Sequence, residues 1–266
     1  PSTFSWVAID NPNVSGESLV AKTGSIITDV ITNVSGVDQL VVYNVTPTDN
    51  VRGCVGNVFT ISATVHSEPL AVNAQFTVCS DEVFSHSLQG DITNGMTSTF
   101  TWSAPVHPFV SGVSTTSQST AFINDPLHNV SSIQQTVVYT VVPTSADANV
   151  CVGNAFTVTV KVDPEPVGVD DIASACSDVA FNYSLQDNVV DSGNGVLSTY
   201  LWEEQLPYNT NVTGTSKSPT AGNRITDVIT NATLIDQVVV YTVSPTSLSI
   251  FGSCPGDPFT VTVTVQ

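Results

Sequence analysis

The sequence predicts an all-β protein made of tandem β-sandwiches set in an elongated row. Three observations predict it. Val is about one residue in six, and Ser with Thr about a quarter, of a 266-residue chain that is 41% hydrophobic. Branched side chains fit a pleated, half-buried surface and are poor helix formers. Phe59–Val65, Phe156–Val162 and Phe259–Val265 alternate apolar and polar residues without a break, the mark of a strand with one buried and one wet face. The chain also repeats itself with a period near 100, which is the length of a whole sandwich and too long for a solenoid unit.

Four series of landmarks recur in one order. Thr3-Phe4-Ser5-Trp6, Thr99-Phe100-Thr101-Trp102 and Thr199-Tyr200-Leu201-Trp202 form the first. Asp29/Asn33, Asp125/Asn129 and Asp227/Asn231, each pair four residues apart, form the second. The third is Val41-Val42-Tyr43, Val137-Val138-Tyr139 and Val239-Val240-Tyr241, with Pro47, Pro143 and Pro245 four residues after each Tyr. The fourth is Cys54-Val55-Gly56, Cys151-Val152-Gly153 and Cys254-Pro255-Gly256, each leading into one of the alternating runs. Glu68-Pro69 and Glu165-Pro166 punctuate the junctions, where Pro ends a strand and stiffens a short linker. The modules expected are 1–67, 68–164 and 165–266, the first short of its opening part. Helical spacing is confined to single turns, expected at Ile26–Asn33 and Ile225–Asn231.

Charge excludes several functions. With 23 acidic residues against 5 basic ones, the net charge is −18. So few cations cannot neutralise a phosphate backbone, which excludes nucleic acid, and the acidity opposes anionic lipid. Apolar runs such as Val238–Tyr241 are too short to cross a bilayer. No leader-like segment opens the chain at Pro1-Ser2-Thr3-Phe4, so it reads as a mature piece of something larger.

The five cysteines fall into two kinds by position. Cys79 and Cys176 come early in a repeat, and Cys54, Cys151 and Cys254 come late. Disulfides are expected, Cys79 with Cys151 and Cys176 with Cys254, and Cys54 is left unpaired because its repeat lacks an early half. Disulfides place the chain in an oxidising compartment. The order Cys, Trp, Cys resembles immunoglobulin domains, although here the late Cys follows the Tyr strand instead of lying within it.

The four series together resemble the PKD-like repeats of very large Bacteroidota surface proteins, including gliding-motility adhesins of the SprB type. The resemblance spans essentially the whole chain. It departs at Asn44, where the other repeats have Thr140 and Thr242, and at Asp125-Pro126, where they have Asp-Val. It implies an immunoglobulin-like fold, type IX export to the bacterial cell surface, and a role as spacer modules in an adhesin filament whose partners are neighbouring repeats of the same long chain. The family has no catalytic residues to carry over.

The residues themselves offer little chemistry. No Gly-x-Ser-x-Gly elbow is present. His66, His86, His107 and His128 are scattered, and Glu203-Glu204 point to opposite faces of a strand. Lys22, Lys161 and Lys217 sit at unmatched positions, which argues against isopeptide crosslinks. Seven Asn-x-Ser/Thr sequons, starting at Asn13, Asn33, Asn44, Asn129, Asn182, Asn211 and Asn231, are close to what this composition gives by chance. One candidate cation site is the acidic junction of Asp163, Glu165, Asp170 and Asp171, whose hard oxygens suit calcium. The variable loops after each Trp carry Phe109 and Tyr208, rings that could stack on a sugar. Two rival functions follow from these features: glycan- or protein-binding modules, and accessory domains that space a secreted enzyme. Strand addition between copies of the chain is a third arrangement, with Cys54 seeking a cysteine on the donor.

Overall fold

The computed structural model describes residues 1–248 and 252–266. It is all-β, with three separate hydrophobic cores in series. Each core sits under a main sheet built around two long strands. The Tyr strands are Gln39–Asp49, Gln135–Ser145 and Gln237–Ser247. The Trp strands Ser2–Ala8, Ser98–Ser103 and Ser198–Glu204 pair with them antiparallel on one side. The last strands Phe59–Val65, Phe156–Asp163 and Phe259–Val265 pair with them antiparallel on the other. Short two-residue pairs such as Val110–Ser111 with His128–Asn129 stand outside these sheets.

Period-two alternation places Trp102, Tyr139, Val141, Val158 and Val160 in the core of the second module, and Trp202, Tyr241, Val243, Val261 and Val263 in that of the third. Pro143 lies in the Tyr strand beyond the point where the last strand stops pairing, so its missing N–H forfeits no ladder bond. Its carbonyl accepts instead from the Gly153 amide at 2.9 Å.

In the second and third modules a further strand closes the sheet: Ala74–Cys79 and Asp171–Ala175. Both run parallel to the last strand, with Cys79 opposite Asp163 and Ala175 opposite Val265. That direction decides the cysteine pairing described below.

The recurring Asp and Asn are scaffold. Asp125 accepts from Tyr139 Oη at 2.7 Å, the Ser114 amide at 2.6 Å and Ser114 Oγ at 2.7 Å. Asp29 and Asp227 accept the same three bonds from Tyr43 and Ser18, and from Tyr241 and Ser216. Burial and the facing carboxylate push all three phenols well above the ordinary tyrosine value, so each stays a donor. Burial works to raise the Asp29 carboxyl, but the bonds from Ser18 and Tyr43 outweigh it and hold the group low.

Asn129 donates to the Ile133 and Val162 carbonyls at 2.9 Å each, while its Oδ1 accepts from both the amide and the hydroxyl of Ser131. Asn33 with Ser35 and Asn231 with Thr233 repeat this turn. Three of the seven sequons are therefore turns in which Asn and Ser or Thr bond one another.

Helix occurs elsewhere than expected. Ile26–Asn33 and Ile225–Asn231 carry short strands at Thr32–Asn33, Arg224–Ile225 and Thr230–Asn231. Among the described residues, the helical segments are the 3-10 turn Leu88–Asp91 and the α-helix Leu185–Asp191. Ser184 caps the latter by accepting from the Asp187 amide at 3.4 Å, and Leu185, Asn188 and Val189 are its buried face.

Candidate functional site

The candidate site lies at the junctions between modules. Each Glu-Pro linker is gripped by an Asn of the module that follows. Asn94 Nδ2 donates to the Glu68 carbonyl at 2.8 Å, and its Oδ1 accepts from the Leu70 amide at 3.3 Å. Asn194 does the same at the next junction, to the Glu165 carbonyl at 2.7 Å and from the Val167 amide at 3.1 Å. The glycine of each late Cys-x-Gly motif completes the grip. A Cβ at Gly153 would collide with the Pro69 carbonyl, and one at Gly256 with the Pro166 carbonyl. Only glycine lets the linker lie this close to the turn. The late cysteine turn therefore faces the preceding module.

The disulfide follows from this placement, and it corrects the pairing expected from sequence. Cys79 bonds Cys254, with Cα atoms 5.5 Å apart and a sequence separation of 175. Cys151 and Cys176 are free, as is Cys54. The parallel closing strand is the reason. Cys79 ends that strand, at the downstream end of its module, and Cys151 precedes the start of the last strand, at the upstream end. At about 3.3 Å per residue, the two lie roughly 20 Å or more apart, far beyond disulfide reach. The early cysteine of one module instead meets the late cysteine of the next. The bond staples neighbours together.

Carboxylates gather beside this staple. Asp81 accepts from or pairs with His128 Nδ1 at 2.8 Å, and Glu165 hydrogen-bonds the Asp81 carboxylate. Burial, the bond to Asp81 and the charges of Asp81 and Asp257 push the Glu165 carboxyl up to about 8. Burial would raise Asp81 too, but bonds from Glu165 and His128 prevail and hold it low. Glu165 thus stays protonated near neutrality and donates to Asp81. The ordinary glutamate value is 4.5, so across pH 4.5 to 8 the folded chain keeps a proton that the unfolded chain has released. Stability contributed by this proton is complete below that window and lost as pH rises through it. Thermal melting of the oxidised chain between pH 5 and 9 should show the decline, and Glu165→Gln should flatten it. An unchanged slope in the variant would remove Glu165 as its source.

Of the four carboxylates expected to hold calcium, only Glu165 joins this group. Asp163 is buried and accepts from Gln134 Nε2 at 2.6 Å. Asp170 accepts from the Thr260 amide at 2.7 Å, and Asp171 from Tyr183 Oη at 2.6 Å. Ligand atoms of Asp81, His128 and Glu165 lie within 4.8 Å of one another, a set the sequence reading missed because Asp81 and His128 are far from Glu165 along the chain.

The ring residues of the variable loops differ. Tyr208 donates its hydroxyl to the Lys217 carbonyl at 3.1 Å, and Lys217 Nζ lies 5.1 Å over its ring, so that face is occupied. Phe109 is half exposed beside an open hollow of about 370 Å³ lined by Val106, Pro108 and Val130.

Sandwich modules in series, joined by gripped linkers and a covalent staple, define a tandem modular β-protein of a typically non-catalytic class. The chain belongs to the PKD-like domain family, which matches residues 1–69, 76–166 and 173–266. No curated protein sequence matches it. Among solved structures, it is similar to the human desmocollin-1 ectodomain at 14% identity and TM-score 0.29, over 85% of this chain and 48% of that one. The chain thus spans about half the length of that relative. Mouse PcdhgC3 EC1-3 is similar at 10% identity and TM-score 0.31, covering 86% of this chain and 76% of that one. The three N-terminal domains of the bacteriophage RB49 outer capsid protein Hoc share 12% identity at TM-score 0.32, over 100% of this chain and 88% of theirs. Among the described residues, no helix is long and apolar enough to cross a membrane.

Proposed function

We propose that this chain is a run of spacer modules in the stalk of an extracellular bacterial adhesin filament. The filament serves attachment or gliding motility and is exported by the type IX route. Its working partners are the neighbouring modules of the same long chain. The observation that carries the reading is the staple between Cys79 and Cys254. A bond between modules resists bending and stretching of the row, which a stalk needs and a soluble enzyme accessory does not. A disulfide also suits an oxidising, external setting, and a charge of −18 keeps neighbouring filaments apart.

The test is replacement. Exchanging residues 1–266 in the parent protein for unrelated sandwich modules of equal length, joined by equally stiff linkers, should leave surface display and adhesion intact. Loss of adhesion with display preserved would mean that these modules bind the target themselves.

A further inference from the structure

The side chains gathered at the second junction elaborate a turn that another module holds in simpler form. Asp81 and Asp178 occupy the same place: φ is 61° and 62°, and their amides donate to the Leu127 and Ile229 carbonyls at 2.9 Å each. The recurring asparagines line up in the same way, with the Asn129 and Asn231 amides donating to Ser80 Oγ and Ser177 Oγ at 3.0 Å each. The residue before each asparagine faces the Asp. In the third module it is Thr230, whose hydroxyl donates to Asp178 Oδ1 at 2.6 Å. In the first it is also a threonine, Thr32, and in the second it is His128. A threonine satisfies the Asp and does no more. The histidine satisfies it as well, with Nδ1 2.8 Å from Asp81, and the neutral ring also offers Nδ1 as a metal ligand.

Glu165 reaches this turn from the other side. Its carbonyl is gripped by Asn194 of the third module at 2.7 Å, and its carboxyl meets the Asp81 carboxylate. Asp257, also of the third module, adds its charge. A His–Asp pair is complete without a third member, as His66 and Asp38 show at 2.8 Å. Here further acidic groups converge on one imidazole in a chain of net charge −18, a field that draws a cation. Geometry and chemistry select the ion. His128 Nδ1 and one oxygen of each carboxylate lie within 4.8 Å of one another. Donors around a tetrahedral zinc ion, about 2.0–2.2 Å from it, stand roughly 3.4 Å apart. Small rotations of three exposed or half-buried side chains close the set to that spacing. Calcium takes about 6–8 oxygen ligands, and this set holds fewer oxygens and a nitrogen. One imidazole and two carboxylates suit zinc, with water in the fourth position.

We propose that Asp81, His128 and Glu165 bind a divalent transition-metal ion, zinc fitting best, which ties the second module to the third beside the Cys79–Cys254 bond. Asp81 and His128 belong to the second module, and Glu165 is anchored in the third by Asn194. The ion is therefore a second cross-link at this junction, one that forms and breaks with metal supply instead of with oxidation. The inference stands apart from the stalk reading, since it rests on this set of side chains alone.

The experiment titrates zinc chloride into the full oxidised chain by calorimetry. The chain carries Cys54→Ser, Cys151→Ser and Cys176→Ser, which remove the competing free thiols and leave the disulfide in place. Zinc should bind, raise the melting temperature by mass action, and shift the ring resonances of His128 ahead of those of the other histidines. The informative variant is His128→Thr, because Thr230 shows that the turn accepts this residue and bonds its Asp. Glu165→Gln removes the ligand that arrives from the other side. Each should weaken zinc binding at least ~10-fold, no less than the loss of an outer-shell partner costs. His66→Ala should leave the affinity unchanged. Zinc affinity unchanged in His128→Thr would overturn the inference, and so would affinity unchanged in Glu165→Gln, which would confine the ion to one module. Calcium chloride binding as tightly as zinc, or no zinc binding at all, would overturn it as well.

Discussion

Stretched from its two ends, the oxidised chain is expected to withhold the stretch between Cys79 and Cys254, a sequence separation of 175, from extension. At about 3.4 Å per residue that is roughly 600 Å of hidden length. Tension reaching Cys79 crosses directly to Cys254, so most of the second and third sandwiches carry none of it. The first module stands outside the loop and should unfold normally in either condition. Adding a reductant should restore the missing length in two further events, one for each sandwich. Cys79→Ser should do the same without a reductant. Equal total extension for the oxidised chain, the reduced chain and the variant would show that the staple does not bear load. The same bond should also matter at equilibrium. Closing a loop of this length removes unfolded-state entropy worth about 5 kcal/mol on the chain-entropy model. Because the loop holds parts of two sandwiches, that stabilisation is shared, and the two should melt closer together when oxidised than when reduced.

The staple also shows where the sequence was readable and where it was not. Strand positions followed from alternation, because a side chain on a pleated strand has only two directions. The Asp, Asn and Tyr landmarks marked equivalent places because each makes the same bonds in three modules. The cysteines were sorted correctly into two kinds, yet their partners were misassigned. Their pairing depends on whether the strand ending at Cys79 runs parallel or antiparallel to Phe156–Asp163. Alternation is the same in both directions, so composition and spacing are silent on the point. The helix at Leu185–Asp191 was hidden for another reason. Its buried Leu185, Asn188 and Val189 include a polar residue, so the apolar spacing is broken. Asn188 is buried because it holds the linker, donating to the Val169 carbonyl at 2.9 Å and accepting from the Val169 amide at 3.0 Å. The group formed by Asp81, His128 and Glu165 depends on how two modules meet, which no local pattern encodes.

Within a single module, the largest loss from one substitution is expected at Asp125. This carboxylate is buried and accepts three bonds, from Tyr139 Oη and from the amide and hydroxyl of Ser114. Asp125→Ala leaves a fully buried phenol and a half-buried amide with no acceptor. Hydrogen bonds to a charged group contribute about 1.5–3 kcal/mol each, and orphaned buried donors cost about 1–3 kcal/mol. These costs overlap, so roughly 3–5 kcal/mol is expected for the variant in denaturant unfolding of the second module. Tyr139→Phe should cost less, roughly 1–2 kcal/mol, since Asp125 keeps both bonds from Ser114. The informative quantity is the double variant. Once Asp125 is gone, the Tyr139 hydroxyl is a buried donor without a partner, and deleting it removes a penalty instead of a bond. Tyr139→Phe should therefore be neutral or stabilising in the Asp125→Ala background, giving a coupling about as large as its effect alone. Simple additivity would mean that the phenol and the carboxylate act separately, and the recurring Asp and Tyr would then mark two independent needs of the fold.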